Sequence, residues 1–357
     1  MVIEISTIKH APPLVSIIIV NWNKANLLQR CLDSIKLLTA YPNYNVIVVD
    51  NASDDGSINL LNAQFPWVNV ICNADNVGFS LGNNMGIDYA MKHYRPDFIL
   101  LLNNDTEIIE KDWLSRLVCD ASTGNGIGVI GCKLLSQNGE VQHVGITFSY
   151  AGPALIPPSK MPSPGLYPVD AVLGACFLIP KRTIDAIGLL DSGYSPFQHE
   201  ESDYCARAKA SNLITVVDTR VSIVHLGFSS MKHIPPSYWW YVNQRNELRF
   251  ALLNTYALSL PVWFALNFYR FLKATKENNG KRLEGAPNSV TPKCYWRALM
   301  HNLHGIHEIL QKRANRSSQI IAQTQPPLLA TPLAKPLNHS VVQLLESSPR
   351  VGDPLSK

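Results

Sequence analysis

The sequence predicts an α/β protein whose N-terminal part forms a doubly wound parallel sheet. Short apolar runs at 15–20, 46–49, 68–72 and 98–102 alternate with segments of helical spacing, and polar turns bound each run. The runs lack the apolar–polar alternation of a strand with one solvated face, which is typical of parallel strands covered by helices on both sides. Alternating strands and helices build such a sheet.

The elements follow in order from the spacing of apolar residues. Leucine, isoleucine and cysteine side chains recur at helical spacing over 27–38, and we expect Asn26 to cap that helix. Further along, we expect a strand over 171–179, a helix over 202–210, and short strands over 215–217 and 221–224. From Pro236 to about Arg316 the pattern is helical.

Composition limits the class of protein. The 357 residues leave room for about two domains at roughly 150 residues each. Hydrophobic residues make up 46% and charged residues 16%, so the chain can build a large core. The net charge of +4 comes from scattered residues, 31 Lys and Arg against 27 Asp and Glu, which disfavours a nucleic-acid-binding protein.

The cysteines and the N-terminus predict a cytoplasmic protein. The seven cysteines include no CxxC pair and sit mostly in apolar runs, as buried thiols in a reducing compartment do. Residues 1–12 carry Glu4 and lack the basic and apolar regions of a secretory signal, so we treat them as an N-terminal lead.

Two C-terminal segments have unusual composition. Residues 250–269 carry no charge and would match the length of a membrane span, but their polar residues leave three interpretations open: a helix packed on the protein, a helix lying on a membrane surface, or a span. Residues 316–357 contain six prolines and no aromatic residue, which predicts a disordered tail.

Polar side chains follow three of the predicted strands at their carboxyl ends, where ligands bind in doubly wound sheets. Asn21 follows the first strand, Asp50 the second, and Asn103, Asn104 and Asp105 the fourth. Asp50 would accept hydrogen bonds from a nucleobase or ribose, and Asp105 would offer a hard oxygen to a cation on a diphosphate. Asp and Asn also form ordinary turns, and that interpretation stays open for each residue alone.

Two further segments have candidate chemistry. Residues 73–86 combine glycine and amide side chains before a helix, which suits either an anion site or a simple helix cap. Glu200, Glu201 and Asp203 open the predicted helix at 202–210. Their charges either stabilise the helix dipole or raise one pKa so that the carboxylate acts as a general base.

The order of these motifs resembles glycosyltransferase family 2, with the GT-A fold, and its rhamnosyltransferase-like branch in particular. The resemblance runs from about Pro13 to Asn246. It is carried by VSIIIVN at 15–21, VDNASDDGS at 49–57, NVGF at 76–79, LLNNDT at 101–106, GLLD at 188–191 and EESDYCAR at 200–207.

The resemblance implies roles for individual residues. Donor binding falls to Asn21, Asp50, Asn76, Gly78, Asn84, Asn104 and Arg245. Asn103 and Asp105 occupy the positions of the family's DxD motif, which holds a divalent metal, Mg²⁺ or Mn²⁺, on the donor diphosphate. His225 matches a histidine that ligates this metal, touches the diphosphate or is structural, and Glu201 matches the catalytic base.

The sequence departs twice from the family pattern. Asn103 replaces the first acid of DxD, which removes a charge from the metal site, so Asp105 should matter more than Asn103. Glu201 replaces the aspartate of the Glu-Asp pair, and Glu200, Glu201 and Asp203 therefore remain rival candidates for the base.

The resemblance implies an α/β GT-A domain, a mixed sheet with helices on both faces, over 13–235 and a C-terminal helical extension over 236–315. We expect an inverting glycosyltransferase that moves a sugar, rhamnose being one candidate, from a nucleotide-diphosphate donor to a hydroxyl of a glycan or lipid-linked acceptor in polysaccharide biosynthesis. Peripheral contact with the inner face of the cytoplasmic membrane would fit such an acceptor. The alternatives are a non-catalytic sugar-nucleotide-binding protein docked on a membrane and a sugar nucleotidyltransferase.

Overall fold

The computed structural model describes most of the chain. The described residues are 11–124, 126–149, 152–161, 163–227, 234–255, 257–278 and 292–321. The strands are β1 (Val15–Asn21), β2 (Tyr44–Asp50), β3 (Asn69–Cys72), β4 (Phe98–Leu102), β5 (Thr106–Ile108), β6 (Ile127–Leu135), β7 (Val141–His143), β8 (Ile146–Ser149), β9 (Gly152–Leu155), β10 (Leu166–Val169), β11 (Cys176–Pro180) and β12 (Ile214–His225). The helices are α1 (Ala25–Leu38), α2 (Ser57–Gln64), α3 (Gly78–His93), α4 (Trp113–Ser122), α5 (Lys181–Ile187), α6 (Glu200–Ala210), α7 (Pro236–Asn254), α8 (Leu260–Asn278), α9 (Pro292–His304) and α10 (Ile306–Ile321).

A mixed sheet forms the centre of the fold, in the order β10-β12-β6-β11-β4-β1-β2-β3, with β5 also paired to β12 and β7 to β6. The four predicted N-terminal strands are parallel neighbours, β4-β1-β2-β3, as the apolar runs indicated. Asn21 pairs with Asp50 in register, so the polar ends of β1 and β2 lie at one level.

The second half of the sheet makes it mixed. Strand β11 runs antiparallel to β4 and β6, and β12 runs parallel to β6. The apolar run from residue 171 becomes a strand only at Cys176, and the two strands expected over 215–224 are one strand, β12, with a register irregularity after Asp218.

Both faces of the sheet are buried, as unalternated strands require. Along β1, Ile17 and Ile19 pack in one core cluster with α1, α2 and α4, and Ile18 packs in the other with α3, α5, α6 and α7. The sheet therefore holds its ligand-facing loops on a rigid, two-sided core.

Helix α1 begins without the predicted cap. It starts at Ala25, before Asn26, and Lys24 occupies the N-cap position with no side-chain bond. Asp55, from the loop after β2, accepts a hydrogen bond from the Ala25 amide at 2.8 Å instead. The expectation for Asn26 was wrong because a carboxylate distant in sequence satisfies the helix terminus.

The C-terminal extension consists of α7 to α10. The uncharged stretch 250–269 is divided between the end of α7 and the first half of α8, and no helix of the described ranges has the length and apolarity of a membrane span. Helix α10 runs to Ile321, so the start of the expected tail at Arg316 falls within a helix; residues 322–357 lie outside the described residues.

Candidate active site

A buried hydrogen-bond network joins the ends of β1, β2 and β4. Asp50 accepts hydrogen bonds from the Asn21 amide at 2.9 Å and from the Ser53 hydroxyl and backbone amide at 2.6 and 2.8 Å. Asn104 donates to the Asn21 side-chain oxygen at 2.7 Å. Asn21 is fully buried with both amide atoms engaged, so it orients Asp50 and Asn104 from beneath.

The predicted donor residues at the start of α3 hold this helix against the loop before α6. Asn76 accepts a hydrogen bond from the Gly78 amide at 3.0 Å, and Asn84 bonds both backbone groups of Leu190 at 2.9 and 3.0 Å. Gly78 has a φ of +84°, and a Cβ there would lie 2.8 Å from Pro196 Cα. Only glycine fits this close approach, and direct contact of these residues with a nucleoside stays a prediction.

The loop after β4 faces the end of β12. His225 Nε2 lies 3.3 Å from an Asp105 carboxylate oxygen and 3.4 Å from the Asn103 amide nitrogen. On the other side of the ring, Nδ1 lies 2.7 Å from Gln142 Oε1. With Nδ1 donating to Gln142, Nε2 presents its lone pair beside Asp105.

This pair fits a divalent cation shared with a ligand. A carboxylate oxygen and an imidazole nitrogen side by side, with the second ring nitrogen fixed by an amide oxygen, form a metal-binding arrangement. Within the described ranges there is no group of three or more His, Cys, Asp or Glu residues that would hold a metal. That Asp105 and His225 hold a metal together with a diphosphate stays a prediction.

Glu201 is fixed by the loop before β11. One of its carboxylate oxygens accepts a hydrogen bond from the Gly174 amide at 3.0 Å. A Cβ at Gly174 would lie 2.5 Å from that oxygen and 3.0 Å from the Phe79 ring, so a side chain at this position would displace the Glu201 carboxylate. The sequence contained no sign of this role, because Gly174 sits within an apolar run with no polar neighbour.

The two glutamates at the start of α6 differ in environment. Glu200 is 3% exposed, whereas Glu201 is partly exposed. Burial and the neighbouring Glu201 carboxylate raise the pKa of Glu200 well above the ordinary 4.5. Burial also raises the pKa of Glu201, against the Gly174 amide bond, which lowers it. A raised pKa suits a general base at neutral pH.

Asp203, the third candidate base, forms ion pairs with two arginines. It is fully buried and lies 3.0 Å from Arg207 and 2.7 Å from Arg316. Burial alone would raise the pKa of Asp203, but Arg316 and Arg207 outweigh it and hold the pKa well below its usual range. A carboxylate saturated in this way is a poor proton acceptor, so its expected candidacy as base finds no support in the geometry.

Arg245 supports the loop before α6. Its guanidinium bonds the Ser195 carbonyl, and the adjacent Asn246 side chain donates to the carbonyls of Tyr194, Phe197 and Gln198 at 2.7 to 2.9 Å. These contacts hold two consecutive left-handed residues, Gln198 and His199, with φ of 79° and 73°. The contacts of Arg245 support the loop before α6, and its expected role in donor binding stays a prediction.

Hydrogen bonds connect the motifs that carry the three key acids. Hydrogen bonds through Asn21 and Asn104 link Asp50 to the segment 103–105. The backbone amide of Asn103 donates to the Ala175 carbonyl at 3.3 Å. Ala175 follows Gly174, which binds Glu201. Asp50, Asp105 and Glu201 thus belong to one connected group of loops at the carboxyl edge of the parallel strands.

The chain is similar to proteins of glycan synthesis. Residues 16–153 match the family model described as glycosyl transferase family 2. The chain is 28% identical, over 64% of its length, to the O-antigen biosynthesis protein RfbC of Myxococcus xanthus and 27% identical, over 65%, to the low-salt glycan biosynthesis hexosyltransferase Agl10 of Haloferax volcanii. It is also 29% identical, over 62% of its length, to an uncharacterized protein, y4gI, of Sinorhizobium fredii.

The region that matches this chain covers only a small part of the length of two of these relatives. The chain spans 25% of y4gI and 18% of RfbC, but 73% of Agl10.

Two solved structures share the fold. GalNAc-T7, solved with UDP, GalNAc and Mn²⁺, matches 81% of this chain and 54% of its own at 15% identity and a TM-score of 0.53. The mannosyltransferase PcManGT of Pyrobaculum calidifontis, solved with GDP-Man and Mn²⁺, matches 87% of this chain and 85% of its own at 14% identity and a TM-score of 0.50. At such identity the likeness extends to the fold alone.

Proposed function

We propose that this chain is an inverting glycosyltransferase of family 2, whose family model matches residues 16–153 and whose GT-A fold the chain shares. It would move a sugar from a nucleotide-diphosphate donor to a hydroxyl group of a glycan or lipid-linked acceptor in polysaccharide biosynthesis. The observation that carries the proposal is the connection of Asp50, Asp105 and Glu201 at one edge of the sheet. The rhamnosyltransferase-like motifs make an activated rhamnose the first donor to test.

In the proposed reaction, Glu201 takes the proton of the acceptor hydroxyl while the hydroxyl oxygen attacks the anomeric carbon of the donor sugar. The new carbon–oxygen bond forms as the bond to the diphosphate breaks on the opposite face, so the anomeric configuration inverts. The hydrogen bond from the Gly174 amide fixes the position of the Glu201 carboxylate. The raised pKa of Glu201 makes this carboxylate basic enough to accept the proton.

In this scheme Asp50 and Asp105 bind different parts of the donor. Asp50, held by Asn21 and Ser53, would receive the nucleobase or ribose. Asp105 and His225 would hold a divalent cation, whose chemistry when bound is to neutralise the negative charge of the diphosphate. Gln142 fixes the ring of His225 so that Nε2 faces Asp105.

Turnover of nucleotide sugars tests the proposal. The full chain is incubated with UDP-, GDP- and dTDP-sugars, with and without Mg²⁺ or Mn²⁺, and release of nucleoside diphosphate is measured. We expect one donor class to be consumed. Tight binding of a donor without release, also in the presence of lipid-linked glycan acceptors, would instead identify a non-catalytic sugar-nucleotide-binding protein.

Glu200 supplies a test of the site's electrostatics that needs no substrate. One of its carboxyl oxygens is buried without a hydrogen-bond partner, and its pKa is raised. A group with a raised folded pKa stabilises the fold at low pH and loses that contribution as pH rises through the folded pKa. Glu200→Gln is therefore expected to leave Tm unchanged near the ordinary glutamate pKa of 4.5 and to raise it at about pH 8.

The expected rise is a few degrees, since about 1 kcal/mol moves Tm by roughly 2–4 °C in domains of this size. Differential scanning calorimetry at both pH values measures it. Glu140→Gln, a change at an exposed carboxylate, is the control and should show no pH-dependent difference. A Glu200→Gln protein that is less stable at the higher pH would mean that the Glu200 carboxylate is paired.

The C-terminal extension carries a surface suited to an anionic membrane, which would bring the enzyme to a lipid-linked acceptor. We name it the α8–α9 patch. It comprises exposed apolar and aromatic residues, Val262, Leu266, Phe268, Tyr269, Leu272 and Trp296, and exposed basic residues, Lys273, Lys293 and Arg297. Segments 260–273 and 293–304 contain no acidic residue.

Tryptophan, tyrosine and basic residues together are typical of protein surfaces that lie on a bilayer interface. Trp296 is 62% exposed and Tyr269 is 64% exposed, so both are available to lipid. The exposure of these side chains supports the part of the proposal in which the protein contacts the inner face of the cytoplasmic membrane.

Co-sedimentation with vesicles tests the α8–α9 patch. We expect binding to vesicles containing phosphatidylglycerol, weakened by salt, and a loss of about tenfold or more for Trp296→Ser, because burying a large apolar side chain contributes about 1.5–3 kcal/mol. Leu37→Ser, at a residue 75% exposed on α1, is the matched control and should bind normally. Equal loss in both variants, or no binding by the wild type, would remove the membrane from the proposal.

A further inference from the structure

The last described helix reaches the first turn of the helix that carries the proposed base. Arg316, on α10, forms a two-pronged ion pair with Asp203, on α6, with nitrogen–oxygen distances of 2.7 and 3.1 Å. Arg207 adds a third contact at 3.0 Å. Asp203 lies two residues after Glu201, so the ion pair attaches α10 to α6 close to the proposed base.

Neutral donors complete the surroundings of Asp203. The Tyr194 hydroxyl lies 3.0 Å and the Asn254 amide 2.9 Å from the same carboxylate oxygen. Arg316 also donates to the Asn254 side-chain oxygen at 3.0 Å. One carboxylate therefore joins α6, α7, α10 and the segment before α6.

A second charged contact joins α10 to that same segment. Lys312, one turn before Arg316, lies 2.7 Å from Asp191, and Arg249 on α7 lies 3.1 Å from it. Helix α10 thus binds the chain on both sides of the 194–199 loop, which leads into α6.

The burial of these charges makes the contacts sensitive to substitution. Asp203 is fully buried, and the Arg316 side chain is 13% exposed. Removing Arg316 leaves the buried Asp203 charge with one arginine partner, Arg207, in place of two, and weakening a buried ion pair costs more than losing a surface pair. We expect the first turn of α6, to which Asp203 belongs, to shift when this contact is lost.

We propose that Arg316 is a positioning residue for the transfer reaction: helix α10 completes the active site by fixing the first turn of α6, so that Glu201 keeps its place against Gly174. The inference rests on the proposed function in that Glu201 serves as the base. It makes the C-terminal extension a working part of the enzyme, although the family match ends at residue 153.

Substitution of Arg316 tests the inference in the full chain. We expect Arg316→Gln to lower kcat by roughly 10–100-fold, because a displacement of about 1 Å at a reacting group has effects of that order. The donor KM should change little, since the Asp50 and Asp105 loops lie on other strands. Arg316→Lys, which keeps one charge on Asp203, should restore part of kcat.

Arg313→Gln is the matched control. Arg313 lies on the same helix, and its guanidinium bonds the backbone carbonyls of Leu252 and Thr255 at the end of α7, not the Asp203 carboxylate. Its removal weakens the attachment of α10 without touching Asp203, so kcat should stay within about twofold of the wild type.

Amide hydrogen exchange supplies a readout that is independent of turnover. Exchange over residues 199–205 should rise in Arg316→Gln and stay at the wild-type level in Arg313→Gln. Unchanged exchange and unchanged kcat in Arg316→Gln, or equal effects in both variants, would overturn the inference. If the wild type consumes no donor, the proposed function fails, and the exchange comparison still decides whether Arg316 holds α6.

Discussion

Glu201→Gln is expected to lower kcat by roughly 10²–10⁴-fold while the protein stays folded and binds its donor normally. Glutamine keeps the size of the side chain and its oxygen, which still accepts the Gly174 amide hydrogen bond, but it cannot take a proton from an acceptor hydroxyl. Steady-state release of nucleoside diphosphate at saturating acceptor measures kcat, and calorimetric titration with the donor measures binding.

Two further variants make this result specific. Glu140→Gln, at an exposed carboxylate, should leave kcat unchanged, and Glu200→Gln should lower it far less than Glu201→Gln. If Glu200→Gln gives the larger loss, the buried carboxylate is the base and the assignment of Glu201 is wrong.

The pH profile follows from the same residue. A base must be deprotonated to act, and burial raises the pKa of Glu201 above the ordinary 4.5. Activity should therefore be lost as pH falls through this raised pKa, so the acid limb of kcat lies above the range of an exposed glutamate. An acid limb at or below 4.5 would mean that another group carries the proton.

Asp105→Asn is expected to lower kcat/KM by roughly 10²–10³-fold, the size of effect seen when a group that stabilises developing charge is removed. The substitution keeps the shape of the side chain and removes its charge beside His225 Nε2. Titration with Mn²⁺ at fixed donor should show that the variant needs more metal for half-maximal activity.

Asn103 and Asp75 supply the comparisons for Asp105. Asn103→Ala removes only a neutral amide from the same loop and should have a much smaller effect than Asp105→Asn. Asp75→Asn, at an exposed carboxylate before α3, should behave as the wild type. A fully active Asp105→Asn protein with an unchanged Mn²⁺ response would remove Asp105 from donor binding.

The N-terminal sheet and its ligand-facing edge were predictable because local patterns determine them. Unalternated apolar runs predicted the parallel strands, and the polar residues at their ends predicted that Asp50 and the 103–105 loop would lie at one edge of the sheet. The place of Glu201 at the start of a helix was also readable, since clustered acids are common at helix N-termini.

The residues that sequence reasoning missed act through contacts between distant segments. Gly174 holds Glu201, Asn246 holds the loop before α6, and Arg316 pairs with Asp203 across 113 positions of the chain. No spacing rule connects such partners, because their proximity depends on how complete helices pack.

The same limit explains the expectations that changed. Asp203 looked equivalent to Glu200 and Glu201 in sequence, and only the packing of α10 shows that two arginines occupy it. Arg316 was predicted to begin a disordered tail, because the composition of a segment does not reveal that one of its residues forms a buried ion pair.

A crystal structure of the full chain with a nucleoside diphosphate and Mn²⁺ tests the central claim most directly. The account predicts the diphosphate and metal beside Asp105 and His225, the nucleobase or ribose against Asp50, and Glu201 facing the open side of the diphosphate where the sugar would lie. Binding of the nucleotide at another surface, away from these side chains, would contradict it.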